Sequence, residues 1–155
     1  MNKEFEKSIG PWLGKTMKCV EHKIEGKLEE KGLDISKMQF LLLKSIHQKE
    51  GVCQNDLAFF SNRNKSSLTR ALNTLEKKKY ITRVASKEDR RINQLFITEN
   101  GLRMIEKAKP LFLEMAALIE SGLTKAEIEA TINTLKKIQR NVAGKEIGYM
   151  LNDQL

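Results

Sequence analysis

Residues 56–100 read DLAFFSNRNKSSLTRALNTLEKKKYITRVASKEDRRINQLFITEN, and the division of this stretch decides the fold. Ser61-Asn62-Arg63-Asn64 is a polar turn. Asn64 suits an N-cap, where a side-chain oxygen takes an orphan backbone N–H, and a helix is expected over residues 65 to about 78. Within it Leu68, Ala71, Leu72 and Leu75 recur at helical spacing as an inward stripe. Ser66, Ser67, Arg70, Asn73, Thr74 and Lys77 are left facing outward, short and polar at the N-terminal end and basic beyond it. Two β-branched runs follow, at 81–85 and 92–97, separated by Ser86-Lys87-Glu88-Asp89-Arg90-Arg91, which predicts a hairpin with a charged tip. Upstream, Cys53-Gln54-Asn55-Asp56 is expected to open a short helix running to about residue 60. Short helix, polar turn, second helix and basic hairpin is the order that lays one helix in a major groove and brings the hairpin, or wing, to the adjacent minor groove.

The placement of charge points the same way. The chain has 155 residues and a net charge of +8. Residues 61–91 hold ten Lys or Arg against three acids, a local excess of +7, and the rest of the chain sums to +1. A fifth of the sequence carries nearly all the excess, the electrostatic footprint expected for neutralising phosphates. A basic face that only keeps the protein solvated is the alternative. Ser66 and Ser67 let the helix start approach closely, where free N–H groups and the positive end of the dipole favour an anion; helix-start propensity alone also explains them.

The flanks read as helices. At 4–31, Ile9, Leu13, Val20, Ile24 and Leu28 recur at spacings of four and seven, with Pro11 in a first turn, a lead-in segment before it and Gly32 as the stop. Ser36-Lys37-Met38-Gln39 is a capping box opening a second helix to about residue 48, dense in apolar residues: Met38, Leu41, Leu42, Leu43, Ile46. Thr98 is expected to cap a helix reaching about residue 122, with Leu102, Ile105, Ala108, Phe112, Met115 and Ile119 on one side and Pro110 as a bend. Thr124-Lys125-Ala126-Glu127 is another capping box, opening a helix that carries Ile128, Ile132, Leu135, Ile138 and Val142. The tail adds Ile147, Tyr149, Met150, Leu151 and Leu155.

Composition bounds the rest. Forty per cent hydrophobic and 31 per cent charged residues with 2 prolines fit one mainly helical globular domain, residues 1–155, that needs no metal or disulfide. No apolar run approaches the roughly 18 residues needed to span a bilayer, and the start MNKEFEKSIG lacks an apolar signal core, so no membrane and a cytoplasmic location are expected. Cys19 and Cys53 have no C-x-x-C spacing, which argues against a disulfide framework or a metal site. His22 and His47 stand without a paired carboxylate or nucleophile motif, and no glycine-rich phosphate loop is present, so enzymatic chemistry and a cofactor are not expected.

Asp56-Leu57-Ala58, Ser67-Leu68-Thr69-Arg70, Leu75-Glu76-Lys77-Lys78, Asp89-Arg90-Arg91 and Thr98-Glu99-Asn100-Gly101-Leu102, in this order and spacing, resemble the winged helix-turn-helix of the MarR (multiple antibiotic resistance regulator) family. The helix count on both sides extends the likeness over nearly the whole chain. The resemblance implies a mainly α fold with a small β-hairpin. It assigns a DNA-binding lobe at 35–100 and dimerisation helices at 4–31 and 101–155. It implies a homodimeric transcription regulator, in the first instance a repressor, on a palindromic operator of double-stranded DNA. It further implies that Arg91 enters the minor groove, that Asp89 holds its guanidinium, and that the helix face at 66–70 reads the major groove. The candidate DNA contacts are Asn64, Lys65, Ser66, Ser67, Thr69, Arg70, Asn73, Lys77, Lys87, Asp89, Arg90 and Arg91. Physical chemistry supports the wing assignment separately, because a narrow minor groove concentrates negative potential that a planar arginine exploits; a surface ion pair between Asp89 and Arg91 is the plainer reading.

Two positions depart from the family pattern: Lys79 stands where glycine is usual, and Cys53 where a serine or threonine cap is usual. The resemblance also implies a cleft for a small aromatic or phenolic effector, with Trp12, Met17, His22, Met38 and Met115 as candidate lining residues, each equally explained by core packing. Cys19, with Lys15, Lys18 and Lys23 nearby, and Cys53, at a helix start, are candidate redox sensors, against the ordinary inertness of lone cysteines. A redox-sensing regulator of the same fold and a winged-helix module that meets an acidic protein are the alternative functions.

Overall fold

The helices begin and end where local chemistry satisfies their orphan backbone groups. The computed structural model describes residues 6–57, 65–89 and 91–143. Its helices are α1 (Ile9–Glu30), α2 (Lys37–Gln48), α3 (Lys65–Lys77), α4 (Glu99–Glu120) and α5 (Lys125–Ala143). Pro11 lies in the first turn of α1, as its missing N–H requires. The Ser36 hydroxyl accepts the Gln39 backbone N–H at 3.2 Å and Gln39 Oε1 accepts the Ser36 N–H at 3.1 Å, a closed capping box. Thr124 and Glu127 repeat it on α5, with Glu127 Oε2 taking the Thr124 N–H at 2.8 Å. The Thr124 backbone and hydroxyl hold the Glu127 carboxyl below its ordinary value. Pro110, expected as a bend, is accommodated inside α4 with its ring exposed.

A three-stranded antiparallel sheet, ordered β1-β3-β2, is built from β1 (Val52–Cys53), β2 (Ile81–Ala85) and β3 (Asn93–Ile97). The hairpin is therefore backed by a third strand that the sequence reading did not contain. Val52 pairs with Leu95 and Cys53 with Gln94, and Cys53 is at once the end of β1 and the N-cap of the turn that follows, without a side-chain cap bond. Only Gln54–Asp56 coil, as one 3-10 turn; the remainder of the expected helix and the polar turn, residues 58–64, lie outside the described residues. Ile92, expected in the second strand, instead closes the wing turn. Its N–H donates to Asp89 O at 2.9 Å and its carbonyl accepts the Ser86 N–H at 2.8 Å.

One core joins α1 to α4 and the sheet. Ile24 and Leu28 of α1, Phe40, Leu42, Leu43 and Ile46 of α2, Leu68, Leu72 and Leu75 of α3, Ile81, Leu95, Ile105, Ala108, Leu111 and Met115 are all buried. On α4 the inward position is Leu111, while Phe112 is half-buried, stacked on Phe40 at 3.9 Å, and Ile119 is exposed. Met38 is also exposed. Helix α5 differs in kind, since none of its residues is buried despite its apolar stripe. No described helix is long and apolar enough to cross a membrane.

Two helices end in the same way with different residues. After α1, Gly32 at φ 63° donates to Glu29 O and Leu33 donates to Leu28 O, both at 2.9 Å. After α3, Lys79 at φ 59° donates to Glu76 O and Tyr80 to Leu75 O, again at 2.9 Å. Both are Schellman ends, whose left-handed residue is ordinarily glycine because a Cβ crowds the backbone there. Lys79→Gly is therefore expected to stabilise the fold by about 1 kcal/mol. In thermal unfolding this appears as a melting temperature higher by about 2 to 4 °C; an unchanged or lower value contradicts the strain.

Candidate nucleic-acid interface

Helix α3 presents its outer face because its apolar stripe, Leu68, Leu72 and Leu75, is consumed by the core. Ser66, Thr69, Arg70, Asn73 and Lys77 fall on the opposite side at spacings of three and four and are all exposed; Ser67, nearer the core, is half-buried. Arg70 folds back so that its Nε donates to Ser66 O at 3.3 Å, leaving the far guanidinium nitrogens outward. Thr69 Oγ1 accepts from Gln54 Nε2 at 2.9 Å, which ties the 3-10 turn to the outer face of α3. Lys65 begins the helix, and Asn64 and Arg90 lie outside the described residues.

The wing tip is organised by its own polar groups. Asp89 Oδ1 accepts the Arg91 backbone N–H at 2.9 Å, and Ser86 Oγ accepts the Glu88 N–H at 3.2 Å. Asp89 thus grips the Arg91 backbone. A carboxylate two residues before an N–H reaches it directly as an Asx turn, and this shapes the tip without fixing the arginine side chain. Lys87, Asp89 and Arg91 are exposed.

Two of the clustered cations face inward instead. Lys78 Nζ bonds Asp34 Oδ1 at 2.6 Å and Asp34 O at 2.9 Å, anchoring the end of α3 to the loop before α2. Arg83 of β2 donates to Glu76 through Nη1 and to Asn73 Oδ1 through Nη2, the latter at 2.9 Å. The sequence reading counted Arg83 only as charge. Its period-two relation to the buried Ile81 on the same strand was the signal for an inward-leaning role. Tyr80, beside this corner, has its phenol pKa raised by burial and by the Asp34 charge.

The candidate effector residues are not gathered into one site. Trp12, Met17 and His22 are exposed along α1, Met38 is exposed on α2, and Met115 is in the core. A cavity of about 240 Å³ lies instead between α2 and α4, lined by Phe40, Lys44, His47, Gln48, Ile105, Glu106 and Lys109. Burial and the neighbouring Lys109 lower the Lys44 pKa. Cys19 is exposed and Cys53 half-buried, 34 residues apart in sequence and on separate elements. Among the described residues no cluster of His, Cys, Asp or Glu is arranged to hold a metal ion.

A helix crossing the core with one polar and basic face free, followed by a basic antiparallel wing, defines a winged helix-turn-helix protein. Residues 35–92 match the MarR family model. Over this segment and in overall fold the chain is similar to the MarR-family transcription regulators. It is 26% identical over 115 residues to the HTH-type transcriptional regulator YybA of Bacillus subtilis, covering 74% of this chain and 77% of that protein. The MepR–DNA complex of S. aureus superposes with a TM-score of 0.76 at 28% identity, covering 91% of this chain and 99% of that one. A MarR mutant from E. coli, solved with operator DNA, gives a TM-score of 0.70 at 26% identity, over 84% and 94% of the two chains.

Proposed function

We propose that this chain binds double-stranded DNA in the cytoplasm as a homodimer and represses transcription by occupying a palindromic operator. The observation that carries the reading is that Arg70, Asn73 and Lys77 of α3 and Lys87 and Arg91 of the wing are all exposed on consecutive elements of the lobe. Residues 35–100 form the DNA-binding lobe, with α3 in the major groove and the wing tip over the minor groove. Residues 4–31 and 101–155 supply the dimerisation region. One lobe contacts too few base pairs to stand out against competing genomic sites, and two related by a two-fold axis demand half-sites about one helical turn apart. Release by a small aromatic or phenolic effector completes the reading, and the cavity against Phe40 and Ile105 offers one place with room for a ring.

Arg91→Ala is expected to weaken operator binding by about 1 to 3 kcal/mol, the scale of one good groove contact, while dimerisation is unchanged. Arg70→Ala should weaken it on the same scale. Fluorescence anisotropy on a selected duplex, with sedimentation on the same samples, reads both. Full affinity in the Arg91 variant removes the wing from the mechanism.

A further inference from the structure

Arg83 sits in the basic segment yet is turned away from the surface that the segment displays. It projects from β2, where its backbone pairs with Leu95, and only 18% of its side chain is exposed. One guanidinium nitrogen is spent on Glu76 and another on Asn73, both on α3. The Glu76 carboxylate cancels its charge locally, so Arg83 adds little to the field that attracts phosphates. A planar two-armed donor bridging Asn73 and Glu76 in the last turn of α3 fixes the angle between that helix and the wing.

The contact with Asn73 has a second consequence. A guanidinium only donates, so the Asn73 atom facing it is the carbonyl oxygen. Reading adenine takes both ends of an asparagine amide, the oxygen accepting from N6 and the nitrogen donating to N7. With Oδ1 turned toward β2, the group left on the outer side of α3 is the Nδ2 amino, which donates alone.

We propose that Arg83 is a positioning residue for DNA recognition: it locks the wing to α3 and orients Asn73 to donate from Nδ2 to base-edge acceptors, two of which guanine offers, while denying it the bidentate pairing with adenine. This rests on the reading that the chain binds duplex DNA. Lys78 and Gln54 brace other parts of α3 but touch neither Asn73 nor the wing.

The test uses the full-length protein and a duplex it selects from a random library, with affinity followed over a salt series. Asn73→Ala is an exposed helix substitution and is expected to fold; it should relax a guanine preference at one position per half-site and lower affinity about tenfold. Arg83→Gln should lose the same preference with an unchanged slope of log affinity against log salt. The double variant should bind within about twofold of Arg83→Gln, because the two residues act as one unit.

Two results overturn the proposal while leaving DNA binding intact. One is a slope reduced by about 0.9 in Arg83→Gln with equal loss on all sequences, the mark of a phosphate contact. Another is a preference for adenine that Asn73→Ala abolishes. Wild-type protein that binds no duplex refutes the underlying reading instead.

Discussion

Gly101→Ala is expected to destabilise the protein by about 3 kcal/mol, at the upper end of overpacking effects. A Cβ built on Gly101 would stand 2.2 Å from Tyr80 O and 2.8 Å from Ile97 Cγ1, and a backbone oxygen has no rotamer by which to withdraw. That oxygen is already committed, accepting the Thr98 N–H at 3.0 Å. The Thr98 hydroxyl locks the same crossing, donating to Lys79 O at 2.6 Å and accepting the Gly101 N–H at 3.1 Å. The first turn of α4 thus rests directly on the exit of α3, and any spacer between them tilts the wing. Denaturant unfolding measures the effect: a midpoint shift worth about 3 kcal/mol is expected, with weakened DNA binding in whatever remains folded. A shift below about 0.5 kcal/mol would mean that this approach is looser than it stands.

Ile132→Glu is expected to abolish the proposed dimer. Helix α5 buries nothing within its own chain, although Ile132 and Leu135 lie one turn apart on a stripe continued by Ile128, Ile138 and Val142. Exposed Ile9, Trp12, Leu118, Ile119 and Leu123 extend the apolar surface along α1 and the end of α4. Such a surface is stable in water only when covered, and a second copy brings the identical stripe across a two-fold axis. A carboxylate introduced there costs about 3 kcal/mol or more, either as a buried unpaired charge or as dissociation. Sedimentation equilibrium should show dimers for the parent chain and monomers for the variant at micromolar concentration. Affinity for the two-half-site duplex should fall at least about a hundredfold, since each monomer then binds alone. A variant that stays dimeric would place the interface elsewhere.

What was legible in the sequence follows from how far the responsible contacts reach. Ser36 with Gln39, Thr124 with Glu127 and the stop at Gly32 are settled within a turn of chain, and all were readable as written. The inward stripe of α3 was equally plain, because Leu68, Leu72 and Leu75 leave no other face apolar. Strand β1 was not legible: two residues become a strand only by pairing with Leu95 and Gln94, more than 40 positions later. The choice between Leu111 and Phe112 on α4 depends on the approach angle of α2, where Phe40 stacks on Phe112 and leaves the inward position to leucine. Periodicity found Ser66, Arg70, Asn73 and Lys77 on the outer face of α3, while Ser67 and Thr74, expected there too, are half-buried at its margin; Arg83 needed the third dimension, since its partners lie seven and ten residues back on another element.

The central claim is that α3 and the wing together clasp the backbone of duplex DNA. The salt dependence of binding measures this most directly, because each phosphate neutralised releases counterions. Arg70, Lys77, Lys87 and Arg91 on both lobes of a dimer should give a slope of log affinity against log salt of about −4 to −7. A slope near zero, or equal affinity for an acidic protein and for duplex DNA, would contradict the account.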